Sequence, residues 1–260
     1  MEMKNREIYI DEISLIRSEG LFKAVLCCCY FSSKFDYDSI IEHLNAHERS
    51  YFDTLQYEKR IRSFLIGRFT AKQAVAALTG ENRVASITIQ SGVFTQPIVV
   101  PNNRNIQVSI THCDNFGAAL AFPDVHPMGI DIERISLHKQ NVLEQQLTAT
   151  EIKKIKSLTI SYDFGLTLLW TVKEALSKVL KTGLMTPFEV YEISEIELHD
   201  NYITCKYKNF AQYRAMSFYT GNYVCSIVMP HKTQLMFDIQ RFKAKFAFSK
   251  YLEDEQIVTG

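Results

Sequence analysis

The sequence feature that restricts the fold of this chain most is one amphipathic segment, GLTLLWTVKEALSKVLK at residues 165–181. At 100° per residue its apolar side chains form one continuous arc, as in a helix that covers a sheet or a second helix. This arc consists of Val172, Ala175, Leu176, Val179 and Leu180. The following Thr182-Gly183 predicts the end of the helix, because glycine accepts the left-handed conformation found there.

The opposite arc of this helix is charged. Glu174 lies next to Lys173 and one turn before Lys178, so both a phosphate and a divalent cation would find partners there. The alternative is a solvated face with a Glu174–Lys178 pair at i,i+4 spacing. This helix alone does not decide between the two interpretations.

The composition of the chain limits the classes of partner that it can bind. The 260 residues are 47% hydrophobic, enough for one large domain or two lobes, and Lys+Arg and Asp+Glu are each 29. We therefore expect no nucleic-acid or membrane partner, since no overall charge attracts one. The charged start MEMKNREIYIDE is unlike a signal peptide, and the six cysteines lack zinc-ligand spacing, so we expect a cytoplasmic protein with reduced thiols.

Internal similarity predicts the architecture. TAKQAVAALTG from Thr70 resembles TVKEALSKVLKTG from Thr171, and β-rich sequence follows each. We predict an α/β (α+β) fold with two similar lobes that form an intramolecular pseudo-dimer, each a small, largely antiparallel sheet packed against a long helix. The chain should be a monomer with its site in the cleft between the lobes. The predicted segments are an extension (1–20), an N-terminal lobe (21–125), a C-terminal lobe (126–230) and a tail (231–260).

The motif GIDIE at residues 129–133 reads as a strand that presents two carboxylates. Asp131 and Glu133 are two residues apart and project to the same face, where they repel unless a cation lies between them. Oxygen-only ligands favour Mg²⁺ or Mn²⁺ over zinc, and Glu174 would supply a third carboxylate. The alternative is a solvent-facing edge with Arg134 as counter-charge.

Three basic residues lie on a long helix that is apolar almost all round and should be central to its lobe. Arg60, Arg68 and Lys72 lie on neighbouring longitudes of one side of a long helix at residues 57–78. His112 could be a ligand, or a strand-end histidine bonded to backbone. The adjacent Cys113 has no orienting acid or glycine-rich loop, which argues against a Cys/His nucleophile.

Four motifs carry a family resemblance. GIDIE (129–133), WTVKEALSK (170–178) and SITHC (109–113) resemble the 4′-phosphopantetheinyl transferases of the Sfp type, and KRIRSFLIGRFTAKQAV (59–75) is similar to their arginine-bearing first-lobe helix. The motifs keep the family's order and span about residues 21–230. The resemblance implies Mg²⁺-dependent transfer of 4′-phosphopantetheine from coenzyme A to a serine of an acyl or peptidyl carrier protein, with release of 3′,5′-ADP. The family's pathways are fatty acid, polyketide and nonribosomal peptide biosynthesis.

The resemblance also implies residue roles. Asp131, Glu133 and Glu174 match the magnesium-binding acids, with Glu174 also the proposed general base, and Lys178 matches the lysine on the pyrophosphate. The coenzyme A contacts implied are Lys173, beside the acid, and Arg60, Arg68 and His112 at the 3′-phosphate and adenosine end, with Lys72 a candidate by position. One departure is Thr95-Gln96-Pro97, where the family usually carries a turn with a charged residue before proline.

Two other functions fit the same residues. Another Mg²⁺-dependent phosphoryl or nucleotidyl transferase could use these carboxylates, although the chain lacks a Walker-type glycine loop. A catalytically inactive module that binds coenzyme A or a carrier protein is the second, but all four catalytic candidates are intact. A transferase is therefore the reading that the sequence favours.

Overall fold

The structure is a computed structural model that describes residues 6–31, 36–101 and 105–246. It divides into two compact units, one formed by Met1–His126 with Gln234–Phe237 and the other by Pro127–Thr233 with the chain from Asp238. Each unit contains a five-stranded antiparallel sheet and one long helix. The predicted mixed α+β class with antiparallel sheets is confirmed, and the pseudo-dimer stays a prediction.

The first unit has its long helix against three strands of its sheet. Its elements are β1 (Arg6–Arg17), β2 (Gly20–Phe31), α1 (Asp36–Ile41), α2 (Ala46–Phe52), α3 (Glu58–Thr79), β3 (Thr88–Ser91), β4 (Pro97–Val100), β5 (Ile106–Cys113), β6 (Phe116–Pro123) and β12 (Gln234–Met236). The sheet order is β12-β1-β2-β6-β5, and β3 and β4 form a separate hairpin. Helix α3 packs on β2, β5 and β6. Gly117 of β6 permits this approach, because a Cβ there would clash with Ile66 of α3.

The second unit repeats this plan. Its elements are β7 (Gly129–Arg134), α4 (Gln140–Glu144), α5 (Ala149–Ser157), α6 (Tyr162–Leu180), β8 (Ile193–Leu198), β9 (Ile203–Tyr207), β10 (Tyr213–Thr220), β11 (Tyr223–Pro230) and α7 (Ile239–Phe246). The sheet order is β7-β11-β10-β9-β8, and α6 packs on β7 and β11. The core lies under α6, whose apolar arc, including Val172 and Leu176, is buried.

Both ends of the chain differ from expectation. The predicted extension of residues 1–20 instead contains β1, which pairs with β2 along its whole length and buries Ile13 and Leu15 completely. Tyr9, Ile13 and Leu15 lie on one face of the strand and are buried, whereas Ile10 and Ile16 on the other face are exposed. The predicted tail from residue 231 adds β12 to β1, and the buried Phe242 of α7 packs edge-on against Phe218.

Element boundaries shift by a few residues. Helix α6 begins at Tyr162, because the Ser161 side chain accepts a hydrogen bond from a first-turn backbone N–H. It ends at Leu180, and the capping residue Lys181 takes the left-handed conformation. Residues Phe188–Tyr191 form a 3-10 helix, and strand β8 begins after it at Ile193. Among the described residues, no helix combines the length and the apolar character needed to cross a membrane.

Candidate active site

Strand β7 and helix α6 position the acidic residues by packing very closely. Gly129 starts β7 directly beneath α6, and a Cβ at this position would lie well inside van der Waals contact with the carbonyl oxygen of Ala175. Asp131 and Glu133 follow on the same face of the strand, while Ile130 and Ile132 are fully buried on the other. The glycine of GIDIE therefore brings two carboxylates against the helix that carries the third.

The three predicted acids do meet. Asp131, Glu133 and Glu174 each offer a carboxylate oxygen, and these atoms all lie within 4.8 Å of one another. Asp131 is 2% exposed, whereas the other two are partly open to solvent. Three hard oxygen donors fit Mg²⁺ or Mn²⁺ by chemistry. The arrangement can thus hold a divalent cation with one side accessible to a ligand.

Lys178 is the cation of this cluster. Its Nζ donates to Oδ1 of Asp131 at 2.7 Å and to the carbonyl oxygen of Ile130 at 3.0 Å, and it lies 3.9 Å from Glu174 Oε1. Burial raises the pKa of Asp131 to about 7; Lys178 opposes this shift, and Glu174 and Glu133 add to it. Without a bound cation, the cluster therefore resists full ionisation.

Two features near the cluster escaped sequence analysis. Lys139, on the 3-10 helix after β7, donates to Glu133 Oε2 at 2.8 Å. Beneath the site, the Ser226 hydroxyl, on the residue paired with Asp131, exchanges 2.7 Å hydrogen bonds with Thr171 and Ser217. These buried hydroxyls tie α6 to the sheet. Only the register of β11 against β7 would have indicated that these hydroxyls lie beneath the site.

Lys173 has a structural partner. Its ammonium group is fully buried. It donates one hydrogen bond to Glu151 Oε2 at 2.8 Å and one to the carbonyl oxygen of Gln146 at 3.1 Å. Oε1 of Glu151 accepts from the backbone N–H of Ile193 at 2.9 Å, and the same residue completes the capping box of Thr148. One buried ion pair thus joins α5, α6 and the start of β8.

Lys72 repeats this arrangement in the first unit. It donates to Glu48 Oε2 at 2.6 Å and to the carbonyl oxygen of His43 at 2.8 Å, and Oε1 of Glu48 accepts from Ile89 N–H at 3.0 Å. Glu48 also completes the capping box of Asn45. Both lysines are sealed in these pairs, so we do not carry them into the binding site. The duplication supports the internal repeat seen in sequence.

The remaining basic candidates lie on α3 and β5 of the first unit. Arg60 is exposed, and the exposed ring of His112 is hydrogen-bonded through Nε2 to the hydroxyl of Ser63, one turn after Arg60. Arg60 and His112 therefore lie on one side of α3. Arg68 is eight residues further, about 12 Å along the axis.

Arg68 is largely buried, with its Cζ 4.9 Å from the centre of the Phe64 ring. Its Nε is buried and has no hydrogen-bond partner among the described residues. Burial lowers its pKa, and Glu48 partly offsets the effect. An unsatisfied buried donor on a guanidinium is suited to an anion.

Gln96, at the departure from the family turn, accepts a hydrogen bond from Phe94 N–H through Oε1 and closes the β3–β4 hairpin.

A pocket of about 420 Å³ opens one helical turn before Glu174. Trp170 lines it and stacks on Phe188 with ring centroids 4.9 Å apart and planes 3° from parallel. The full lining is Gln146, Trp170, Met185, Thr186, Pro187 and Phe188. Trp170 and Glu174 are four residues apart and therefore lie on the same face of α6. Gln146 and Thr186 add polar groups to the otherwise apolar lining, which suits an extended uncharged chain.

This geometry defines a carboxylate site able to hold a divalent metal beside a lysine. Residues 127–228, less than half of the chain, match the family model of the 4′-phosphopantetheinyl transferase superfamily. The match contains the acids, Lys178 and the pocket, and it supports phosphopantetheine transfer as the general type of activity. Members of that superfamily act on carrier proteins with coenzyme A and typically use a divalent metal. A search of curated proteins found no significant match.

Proposed function

We propose that this protein is a 4′-phosphopantetheinyl transferase of the Sfp type. It moves 4′-phosphopantetheine from coenzyme A to a serine of an apo acyl or peptidyl carrier protein and releases 3′,5′-ADP. The observation that carries the proposal is the meeting of Asp131, Glu133 and Glu174 within 4.8 Å, inside the segment that matches the superfamily. The metal would be Mg²⁺, with Mn²⁺ as a substitute.

The acids and the lysine divide the work. Asp131, Glu133 and Glu174 would hold the metal, which neutralises the diphosphate charge when it is bound. Glu174, partly exposed on α6, accepts the proton of the carrier serine. The serine oxygen then forms a bond to the phosphorus that bears pantetheine, and the bond from that phosphorus to 3′,5′-ADP breaks. Lys178 stabilises the anionic diphosphate oxygens during this step.

The two ends of coenzyme A have separate candidate contacts. The exposed residues Arg60 and His112, and Arg68 with its buried Nε, are the candidates for the 3′-phosphate and adenosine end. The pocket lined by Trp170 and Phe188 opens one turn of α6 before Glu174 and is the candidate for the pantetheine chain.

The experiment is to incubate the protein with coenzyme A, Mg²⁺ and a panel of apo carrier proteins and to record the intact mass of each carrier. A Ser→Ala carrier is the control. The proposal predicts a mass increase of one phosphopantetheine on at least one carrier. Labelling from a nucleoside triphosphate instead would identify a different Mg²⁺-dependent transferase.

A further inference from the structure

Lys139 lies at the rim of the acidic cluster. Its Nζ is 2.8 Å from Glu133 Oε2, and it belongs to the 3-10 helix Leu137–Lys139 that follows β7. The side chains of Lys139 and Glu133 are 47% and 23% exposed. This pair is therefore open to solvent, unlike the sealed pairs of Lys72 and Lys173.

We infer that Lys139 is the resident counter-ion of Glu133 in the metal-free protein, and that a divalent cation must compete with it for this carboxylate. Lys139 thereby weakens cation binding and sets the metal concentration at which the site fills. The inference rests on the proposed function, because it takes Glu133 as a metal ligand.

Charge balance explains why such a competitor is present. Three carboxylates within 4.8 Å of one another repel, and two ammonium groups, those of Lys139 and Lys178, partly neutralise them. A metal ion at the cluster is repelled by both lysines and draws on the lone pairs that Lys139 uses. Lys178 also donates to a backbone carbonyl and to a buried acid, so it is fixed. Lys139 is the more exposed of the two and is the adjustable one.

The alternative is a surface ion pair without consequence, since most exposed pairs contribute little. Lys208 and Glu192 form such a pair, also at 2.8 Å, with the lysine 60% exposed. Neither residue belongs to the acidic cluster. This pair therefore supplies a control variant of the same chemistry and geometry.

The test measures Mn²⁺ binding from the electron paramagnetic resonance signal of free Mn²⁺, without coenzyme A or carrier protein. Lys139→Met should bind Mn²⁺ about two- to fivefold more tightly than wild type, the range expected for one exposed charge pair. Lys139→Arg should stay close to wild type, and Lys208→Met should not change the affinity. The gain of Lys139→Met should shrink at high salt, because the pair is solvent-exposed.

The outcomes separate this inference from the proposed function. If wild type binds Mn²⁺ and Lys139→Met binds it equally or more weakly, in a protein with wild-type thermal unfolding, the inference is overturned and the transferase proposal stands. If wild type binds no Mn²⁺ at millimolar concentration, the metal site itself is refuted and the inference falls with it.

Discussion

Lys178 donates a hydrogen bond to Oδ1 of Asp131 at 2.7 Å, across 47 positions of sequence. The contact fastens the end of helix α6 to the strand that carries the acids. The same ammonium group lies 3.9 Å from Glu174, one turn earlier on the helix. A single lysine thus lies beside two of the three carboxylates.

Substitutions of Glu174 and Lys178 should change the kinetics of transfer in different ways. Glu174→Gln removes the proton acceptor, so the transfer rate should fall by about 10²-fold or more while coenzyme A still binds. Lys178→Met removes a cation from the diphosphate and should raise KM as well as slow turnover. Single-turnover kinetics and calorimetric titration with coenzyme A measure the two effects. Wild-type kinetics with a lower melting temperature in either variant would mean that the pair is structural only.

The nucleotide end of coenzyme A can be tested with dephospho-coenzyme A. If Arg68 and His112 bind the 3′-phosphate, wild type should bind the dephospho form more weakly by roughly 1.5–3 kcal/mol, the value of lost charge-assisted hydrogen bonds. Arg68→Ala and His112→Ala should lose this preference, and Arg83→Ala, an exposed control on the same unit, should keep it. Undiminished discrimination in Arg68→Ala would place the phosphate elsewhere.

Gly129→Ala tests the close packing of β7 on α6. The added methyl group collides with the backbone carbonyl of Ala175, which cannot rotate away, so strand and helix must separate. We expect a destabilisation of about 1–3 kcal/mol in urea unfolding and a loss of activity larger than the stability change explains. Gly67→Ala, whose Cβ would meet Ile110 at an ordinary 3.4 Å, is the tolerated control. Equal behaviour of the two variants would contradict the packing argument.

The raised pKa of Asp131 predicts a pH-dependent stability. Because the carboxyl titrates near 7 in the folded protein and near 3.8 when unfolded, the folded state binds more protons between these values. The metal-free protein should therefore lose stability as pH rises from about 4 to 7, by a few kcal/mol at about 1.4 kcal/mol per pKa unit. Asp131→Asn should lack this loss and be the more stable protein in chelator at pH 8, though inactive. Urea unfolding of wild type and Asp131→Asn across this pH range measures the difference in their stability. A difference that does not change with pH would contradict the assignment.

Much of the site follows from the sequence because strand alternation and helical spacing are local rules. They predicted that Asp131 and Glu133 share a face and that Glu174 and Lys178 share another. They failed for Lys173, placed on the charged arc but fully buried, because its partner Glu151 comes from another helix. Lys173 and Glu151 are 22 positions apart in sequence, so helical spacing gives no sign that they pair.

The other misses have similar causes. Charged residues interrupt the apolar pattern of β1, so its sequence did not indicate a buried strand. Its burial depends on pairing with β2 and β12. Lys139 lies on an irregular segment, where spacing gives no direction for a side chain. Contacts set by tertiary structure are thus the part that the sequence did not predict.

The central claim is that this chain transfers phosphopantetheine with a metal held by Asp131, Glu133 and Glu174. The most direct measurement is the intact mass of an apo carrier protein after incubation with the protein and coenzyme A, with Mg²⁺ or with excess chelator. The account predicts one added phosphopantetheine with Mg²⁺, none in chelator and none with Asp131→Ala. Full modification in chelator, or by Asp131→Ala at the wild-type rate, would contradict it.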